Sequence, residues 1–179
     1  MVAFARNIEA LQFDPARWSA YGWTPVADTD PRDGTSRLHF EWADAHLNLI
    51  GHRFDEVPHT PRGVVCEMLH RHLTHTQALL ILNCPAIVLA APPGTDFRGP
   101  ADAEKLRAFL LKPLDSFVLH RGTWHWGPFP VSAPRVEMYN IQGIRYAEDN
   151  DCARLDRVEA SVEVLTGSGA AHQARSRIT

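Results

Sequence analysis

The sequence has few cysteines, and they form no pattern that would build a covalent or metal-held scaffold. Cys66, Cys84 and Cys152 are an odd number, lie far apart and include no Cys-x-x-Cys pair. Neither a disulfide framework nor a structural zinc cluster is indicated, so we expect three reduced thiols. The start of the chain also lacks a basic region followed by a long apolar run. Together these features predict a cytoplasmic protein.

The chain also lacks a charge excess, an internal repeat and a phosphate-binding loop. A net charge of -3 and a pI near 6.3 give no electrostatic reason to expect nucleic acid or a membrane as partner. No Gly-rich loop carries a Walker lysine, so we expect no nucleotide cofactor. The 179 residues, of which 45% are hydrophobic and 22% charged, suit one globular domain. A small-molecule site is the natural expectation.

Two stretches rich in histidine concentrate the chemistry of the chain. The first contains His70 and His72, followed by Gln77, and the second runs from His120 through His125. In a β-strand alternate side chains share a face, so His70 and His72 point the same way. Three imidazoles and one amide oxygen are a suitable ligand set for a divalent metal.

The spacing of these residues resembles the two motifs of the cupin superfamily. His-x-His is followed by four residues and an amide, and about fifty residues later by Gly-x-x-His with Gly122 as its glycine. The resemblance implies that His70, His72, Gln77 and His125 hold a divalent ion such as Mn, Ni, Zn or Fe. It also makes His72 and His125 the catalytic candidates.

A narrower resemblance covers roughly residues 10 to 156. The ordered elements that carry it are Ala20-Tyr21-Gly22, Arg71-His72-x-x-x-Thr76-Gln77-Ala78, Ile87 to Pro92, Leu106-Arg-Ala-Phe109, Gly122-Thr-Trp-His125 and Asp151-Cys152. They are similar to those of the ureidoglycolate lyase family. The resemblance implies a carbon-nitrogen lyase that splits ureidoglycolate into glyoxylate and urea, with Arg53 binding the substrate carboxylate. The alternative for Arg53 is a solvated arginine on the surface. The chain departs from the family at His70, where a glutamate is usual, and at Trp126, where a second histidine is usual.

Other functions and other roles for the histidines stay open at this point. A metal-dependent cupin lyase, isomerase or oxygenase could use another small carboxylate, and a noncatalytic cupin would bind a small molecule without turnover. His120 is open between a structural role and support of a metal ligand. Five further isolated histidines are expected to be surface or core residues, namely His39, His46, His59, His75 and His172.

The pattern along the chain predicts a mainly β fold with one or two peripheral helices, and the resemblance implies that this fold is a cupin-type antiparallel β-barrel, a double-stranded β-helix or jelly roll. We expect a packing arm over 1–24 with a short helix starting at Asp14-Pro15, the barrel over 25–160, and an extension over 161–179 that ends in a mobile tail. Strands are predicted over 46–50, 64–72, 77–82, 86–91, 116–119, 124–129 and 135–141.

Three further structural expectations follow from local patterns. Asp33-Gly34 predicts a hairpin into a strand over 37–42. Apolar residues at helical spacing predict a helix that starts at Asp102 and ends at Lys112-Pro113. Trp124 and Trp126 are expected to lie opposite His125 and to pack in an outer layer or a subunit interface, and the exposed aromatic strands favour a homodimer.

Overall fold

The computed structural model describes residues 4–41 and 44–166 and consists of two β-sheets with a core between them. The strands are β1 (Arg6–Gln12), β2 (Gly22–Trp23), β3 (Ala45–Arg53), β4 (Gly63–Cys66), β5 (Met68–Arg71), β6 (Gln77–Ile81), β7 (Ala86–Ala91), β8 (Arg107–Leu111), β9 (Ser116–Leu119), β10 (Trp124–Pro130), β11 (Arg135–Gly143), β12 (Asp151–Arg154) and β13 (Val162–Leu165). Within these residues there is one short helix, α1 (Pro15–Trp18), and there are 3-10 turns at Phe54–Glu56, Pro100–Lys105 and Leu155–Val158.

The larger sheet has eight strands in the order β12-β5-β10-β7-β8-β1-β13-β4, and the smaller has five in the order β2-β9-β6-β11-β3. Most neighbours are antiparallel, but β1 runs parallel to both β8 and β13. The prediction of a mainly β, cupin-type fold with peripheral helices is confirmed. No helix among the described residues is long and apolar enough to cross a lipid bilayer.

The inner core lies between the two sheets and is built from the alternate side chains that each strand turns inward. β7 contributes Ala86, Val88 and Ala90, while Phe109 and Phe117 come from β8 and β9. The helix α1 closes this core, as the sequence predicted for Asp14-Pro15. Asp14 accepts hydrogen bonds from the first backbone amides of the helix, and the buried Trp18 indole donates to the Val118 carbonyl.

A second apolar layer covers the opposite face of the large sheet. Trp124 and Trp126 lie in it with 5% and 6% of their surface exposed, so the predicted outer-layer packing is confirmed. The Trp124 indole donates to the Thr95 carbonyl at 2.8 Å, and the Arg71 guanidinium lies 4.2 Å from the centre of its ring. Both faces of this sheet are therefore covered around β10.

The predicted helix starting at Asp102 is wrong. A 3-10 turn ends at Lys105, and β8 then pairs with β7 on one side and with β1 on the other. The apolar side chains of β8 are buried on both faces because the strand is central, and a strand of this kind reads as a continuous apolar run. Their spacing matched a helical period by coincidence.

The predicted hairpin and strand over 37–42 are also wrong for the residues described. Turns occupy 28–36, and residues 24–27 before them form no strand along which a hairpin could return. Phe40 makes only an isolated bridge to His75, on which its ring also stacks. Trp42 lies outside the described residues.

The predicted division into residues 1–24, 25–160 and 161–179 stays a prediction. β1 and β13 flank each other in the large sheet, where Asn7 pairs with Glu163. The expected mobile tail falls on 167–179, and it lies outside the described residues together with His172.

Candidate metal and substrate site

Three histidines line one wall of the space between the sheets. β5 and β10 are antiparallel neighbours in which His70 lies directly opposite His125. His125 also pairs with Ala90, a residue of the inner core, so it faces the other sheet. His72 follows His70 by two residues and therefore lies on the same face. The structure thus brings together the three histidines that the sequence selected.

A glycine turn positions the second histidine motif against the first. Gly122 has a φ of +78°, a left-handed conformation that side chains beyond glycine rarely adopt. Its backbone N–H donates to the His72 carbonyl at 2.7 Å. The turn before β10 is therefore tied directly to the end of β5, and this contact fixes the distance between His125 and His72.

Two of the histidines have a defined tautomer. The Nδ1 of His72 lies 3.1 Å from the Asp149 carbonyl oxygen, and the Nδ1 of His125 lies 3.1 Å from the Thr123 carbonyl oxygen. Because a carbonyl only accepts, each Nδ1 must carry the proton when the ring is neutral, and each Nε2 keeps a free lone pair. Metal-binding histidines have this arrangement.

The spacing of the two rings suits a shared ion. The ring centres of His72 and His125 are 5.5 Å apart, and their planes are tilted by 48°. Two imidazoles on one tetrahedral ion, with metal-nitrogen distances near 2 Å, would place their centres about 5 Å apart. The distance between the two ring centres is therefore compatible with one shared ion.

The histidines are held in their neutral form. Burial lowers the pKa of His125 to about 3, helped by the nearby His72. Burial also lowers the pKa values of His70 and His72. Because a metal competes with the proton for the same lone pair, neutral imidazoles are ready ligands near pH 7.

The opposite wall of the space consists of carboxamides. Gln77 starts β6 and lies two residues before Leu79 of the inner core, so it points between the sheets. Its Nε2 donates to Asn140 Oδ1 at 2.8 Å and lies 3.4 Å from Gln142 Oε1. Asn140 in turn donates to Asn48 Oδ1 at 2.8 Å.

The oxygen of Gln77 has no partner in this arrangement. Gln77 is 7% exposed, and its Oε1 is buried without a hydrogen bond. A buried acceptor left unpaired costs about 1–3 kcal/mol unless a ligand satisfies it. Because amide oxygen is an accepted metal ligand, the residues present fit a divalent ion.

A second group with ligand atoms close together consists of His72, His75 and Asp149, whose ligand atoms all lie within 4.8 Å. The His75 ring is stacked on that of His72, with centres 4.6 Å apart and planes 21° apart. Lone pairs lie in the ring planes, so those of stacked rings run side by side and do not converge on one ion. The Asp149 carboxylate already accepts hydrogen bonds from Leu73 and Thr74. We therefore interpret this group as support for His72.

Within this group, His75 is more deeply buried than His72. It is 1% exposed and lies between the rings of Phe40 and His72. Its Nδ1 is 3.2 Å from an Asp149 carboxylate oxygen without being aligned for a hydrogen bond. Burial, with a smaller effect of His72, lowers its pKa to about 4. The sequence-based expectation of a structural histidine at this position agrees with these contacts.

Arg53 and His120 lie away from the histidines. Arg53 ends β3, five residues or about 16 Å beyond Asn48 on an extended strand. Its guanidinium pairs with Asp55 through two contacts of 2.8 Å, and 58% of the side chain is exposed. His120 is exposed, and its ring contacts that of Trp23 at a tilt of 48°.

Four residues at this site were not selected from the sequence, namely Asn48, Asn140, Gln142 and Asp149. Alternation along β11 did put Asn140 on the same side as Val136 and Met138, which was a usable signal. Nothing marked Asp149, because its contacts with His72 and Thr74 join residues more than seventy positions apart.

The fold and the site together define a class, a cupin-type β protein with a wall of histidines facing a wall of carboxamides. Residues 26–163 match the family model described as Ureidoglycolate lyase. The chain belongs to that family. No curated protein gives a significant match. Among solved structures, the Cellulomonas parahominis L-ribose isomerase with L-psicose is similar at a TM-score of 0.37 and 13% identity, over 66% of this chain and 74% of the isomerase.

Proposed function

We propose that the protein is an enzyme that eliminates urea from ureidoglycolate to give glyoxylate, and that it uses a divalent ion held by His70, His72, Gln77 and His125. Membership of the ureidoglycolate lyase family supports the reaction class. The observation that carries the metal role is the buried, unpaired oxygen of Gln77 on the wall opposite neutral imidazoles. The ion would be Mn, Ni, Zn or Fe.

The ligand set suits an anionic substrate. Three neutral imidazoles and an amide leave the full positive charge on the ion, whereas a carboxylate ligand would cancel part of it. Ureidoglycolate carries a carboxylate and a hydroxyl on one carbon, and both can approach the same cation. A bound divalent ion would lower the pKa of that hydroxyl and hold the carboxylate.

The reaction needs one proton removed and one supplied. When the hydroxyl loses its proton, its oxygen becomes the carbonyl of glyoxylate and the bond to the ureido nitrogen breaks. That nitrogen takes up a proton and leaves as urea. His72 and His125 are the catalytic candidates because they would hold the ion that contacts the hydroxyl, and the carbonyls of Asp149 and Thr123 keep their Nε2 atoms available.

Arg53 is proposed to bind the substrate carboxylate. A guanidinium can bind a carboxylate through two hydrogen bonds, and Arg53 already holds Asp55 in that manner. On binding the substrate, Arg53 would therefore release the carboxylate of Asp55 and bind that of the substrate. Given the position of Arg53 at the far end of β3, the exchange also requires the loop around 54–62 to move towards the histidines.

A second function is favoured by the pairing of His70 with His125. With a histidine at position 70 the wall contains three imidazoles, a ligand set shared by metal enzymes with other chemistries. The alternative is thus a metal-dependent cupin lyase, isomerase or oxygenase acting on another small carboxylate. A noncatalytic cupin would instead bind the same ligand without turnover.

The test is the release of glyoxylate and urea from racemic ureidoglycolate. The protein is assayed as purified, after chelation, and after adding back each of the four metals. The proposal expects equal amounts of both products, lost on chelation and restored by at least one metal. Metal binding without any product would contradict the lyase and favour another substrate, and oxygen consumption would favour an oxygenase.

We also propose a homodimer in the cytoplasm with a small carboxylate as its ligand. The outer face of β3 and β11 exposes Leu47, Leu49 and Tyr139 with 63%, 63% and 45% of their surface accessible. Exposed apolar patches of this kind are typical of protein contacts. The free thiols of Cys66, Cys84 and Cys152 fit a reducing compartment, which cell fractionation would test.

A further inference from the structure

Four carboxamides form a connected chain of hydrogen bonds across the smaller sheet. We call Asn48, Asn140, Gln142 and Gln77 the carboxamide ladder. They come from β3, β11 and β6, and register places Asn140 directly opposite Asn48. Asn140 is completely buried, and Gln142 is 5% exposed. The ladder therefore sits in the interior, next to the proposed ligand Gln77.

The ladder has a direction. Gln77 donates to Asn140, and Asn140 donates to Asn48. Gln142 offers Gln77 a second oxygen at 3.4 Å. With two acceptors around its nitrogen, Gln77 must keep its oxygen on the other side of the amide group. If all these amides were rotated, position 77 would present an N–H₂ group instead and would repel a cation.

We propose that Asn140 is a positioning residue, backed by Asn48 and Gln142, which fixes the amide of Gln77 so that its oxygen serves as a ligand for the ion. This inference rests on the metal site of the proposed function but not on the identity of the substrate. A free glutamine would lose rotamer freedom on binding the ion, whereas a glutamine already held by two acceptors has lost it on folding. The ladder therefore raises ion affinity without touching the ion.

The variants that test the proposal change the ladder and leave Gln77 in place. Asn140→Leu fills the same space but removes the acceptor. Asn140→Asp keeps an oxygen for Gln77 in either protonation state, and Asn48 can rotate to match its other oxygen. Tyr139→Phe is the control, because Tyr139 is the neighbour on β11 that faces outward.

The measurement is calorimetric titration of the chelated full-length protein with Zn²⁺ or Mn²⁺ alone. We expect Asn140→Leu to weaken binding roughly 10- to 100-fold, as loss of groups supporting a metal ligand does. Asn140→Asp should stay within about 3-fold of the unmodified protein, and so should Tyr139→Phe. Unchanged affinity in Asn140→Leu would overturn the proposal, as would failure of the unmodified protein to bind either ion.

A double-mutant cycle separates positioning of Gln77 from a general effect on the fold. In a Gln77→Ala background, Asn140→Leu should cause no further loss of ion affinity. An equal loss in both backgrounds would mean that Asn140 acts on the structure and not through Gln77. Asn140→Ser gives the same comparison if the leucine variant does not fold. Since the titration contains no substrate, absence of urea release would reject the lyase and leave the result on the ladder intact.

Discussion

His72 is the residue at which most contacts of the site meet. Its ring nitrogen donates to the Asp149 carbonyl, its own carbonyl accepts from Gly122, and its ring stacks on His75. Each contact fixes a different degree of freedom, namely the tautomer, the backbone and the ring plane. A ligand held in this way needs little reorganisation when an ion binds.

Removing either central imidazole should abolish tight metal binding. For His72→Ala and His125→Ala we expect a loss of ion affinity larger than the roughly 10- to 100-fold typical of supporting residues, since a ligand itself is removed. Metal content after dialysis, measured by plasma emission, gives the answer. His120→Ala is the matched control, because the His120 ring contacts Trp23 outside the site. Full metal content in both site variants would remove the assignment.

A lysine in place of Arg53 tests the substrate anchor. Arg53→Lys keeps the charge but loses the paired hydrogen bonds, so the Michaelis constant should rise roughly 10-fold, equivalent to about 1.4 kcal/mol. Steady-state kinetics with ureidoglycolate measure this, and kcat should change less. Wild-type constants would mean that Arg53 serves only its ion pair with Asp55.

Some residues of the site could be predicted from the sequence, and others could not. The spacing of His70, His72 and His125 selected side chains that the fold does bring to one wall, because period-two alternation and a glycine turn are local properties. Asp149 carries no local signal, since its role depends on the approach of a distant loop to β5. Nothing in the sequence indicated that the members of the carboxamide ladder would form a network.

Among the secondary-structure elements, β8 explains why a helix was wrongly predicted from Asp102 onward. A strand that is buried on both faces has no polar side, so its sequence contains no alternation to distinguish it from a helix. Flanking strands β7 and β1 provide the hydrogen bonds that decide the outcome. β11, which has one wet face, was predicted correctly from its alternation.

The pair β3 and β11 leads to a prediction about assembly. A charge on their outer face, in Leu47→Glu or Leu49→Glu, should convert the expected dimer into a monomer because the apolar patch would be interrupted. Leu114→Glu is the control, since Leu114 is 76% exposed in a turn elsewhere. Sedimentation velocity at micromolar concentration distinguishes the states. A monomeric unmodified protein would contradict the dimer.

For the whole molecule, the strand pattern was sufficient to predict a mainly β protein, and the resemblance of the histidine motifs supplied the cupin type. They could not give the order of the strands, because pairing between β1 and β13 joins residues more than 150 positions apart. Neither could they show that the two walls of the site come from different sheets. That arrangement depends on how the sheets dock around the inner core of Phe109, Phe117 and their neighbours.

The position of β13 also affects the order in which the strands of the large sheet can pair during folding. β13 lies between β1 and β4, so the large sheet stays in separate pieces until Leu165 has been synthesised. Closing so long a loop costs entropy before any contact is gained, and folds dominated by distant pairings are slow to form. β1 can already pair with β8 at that stage, whereas β4 joins the large sheet only through β13, and exposed sheet edges will need protection in that interval.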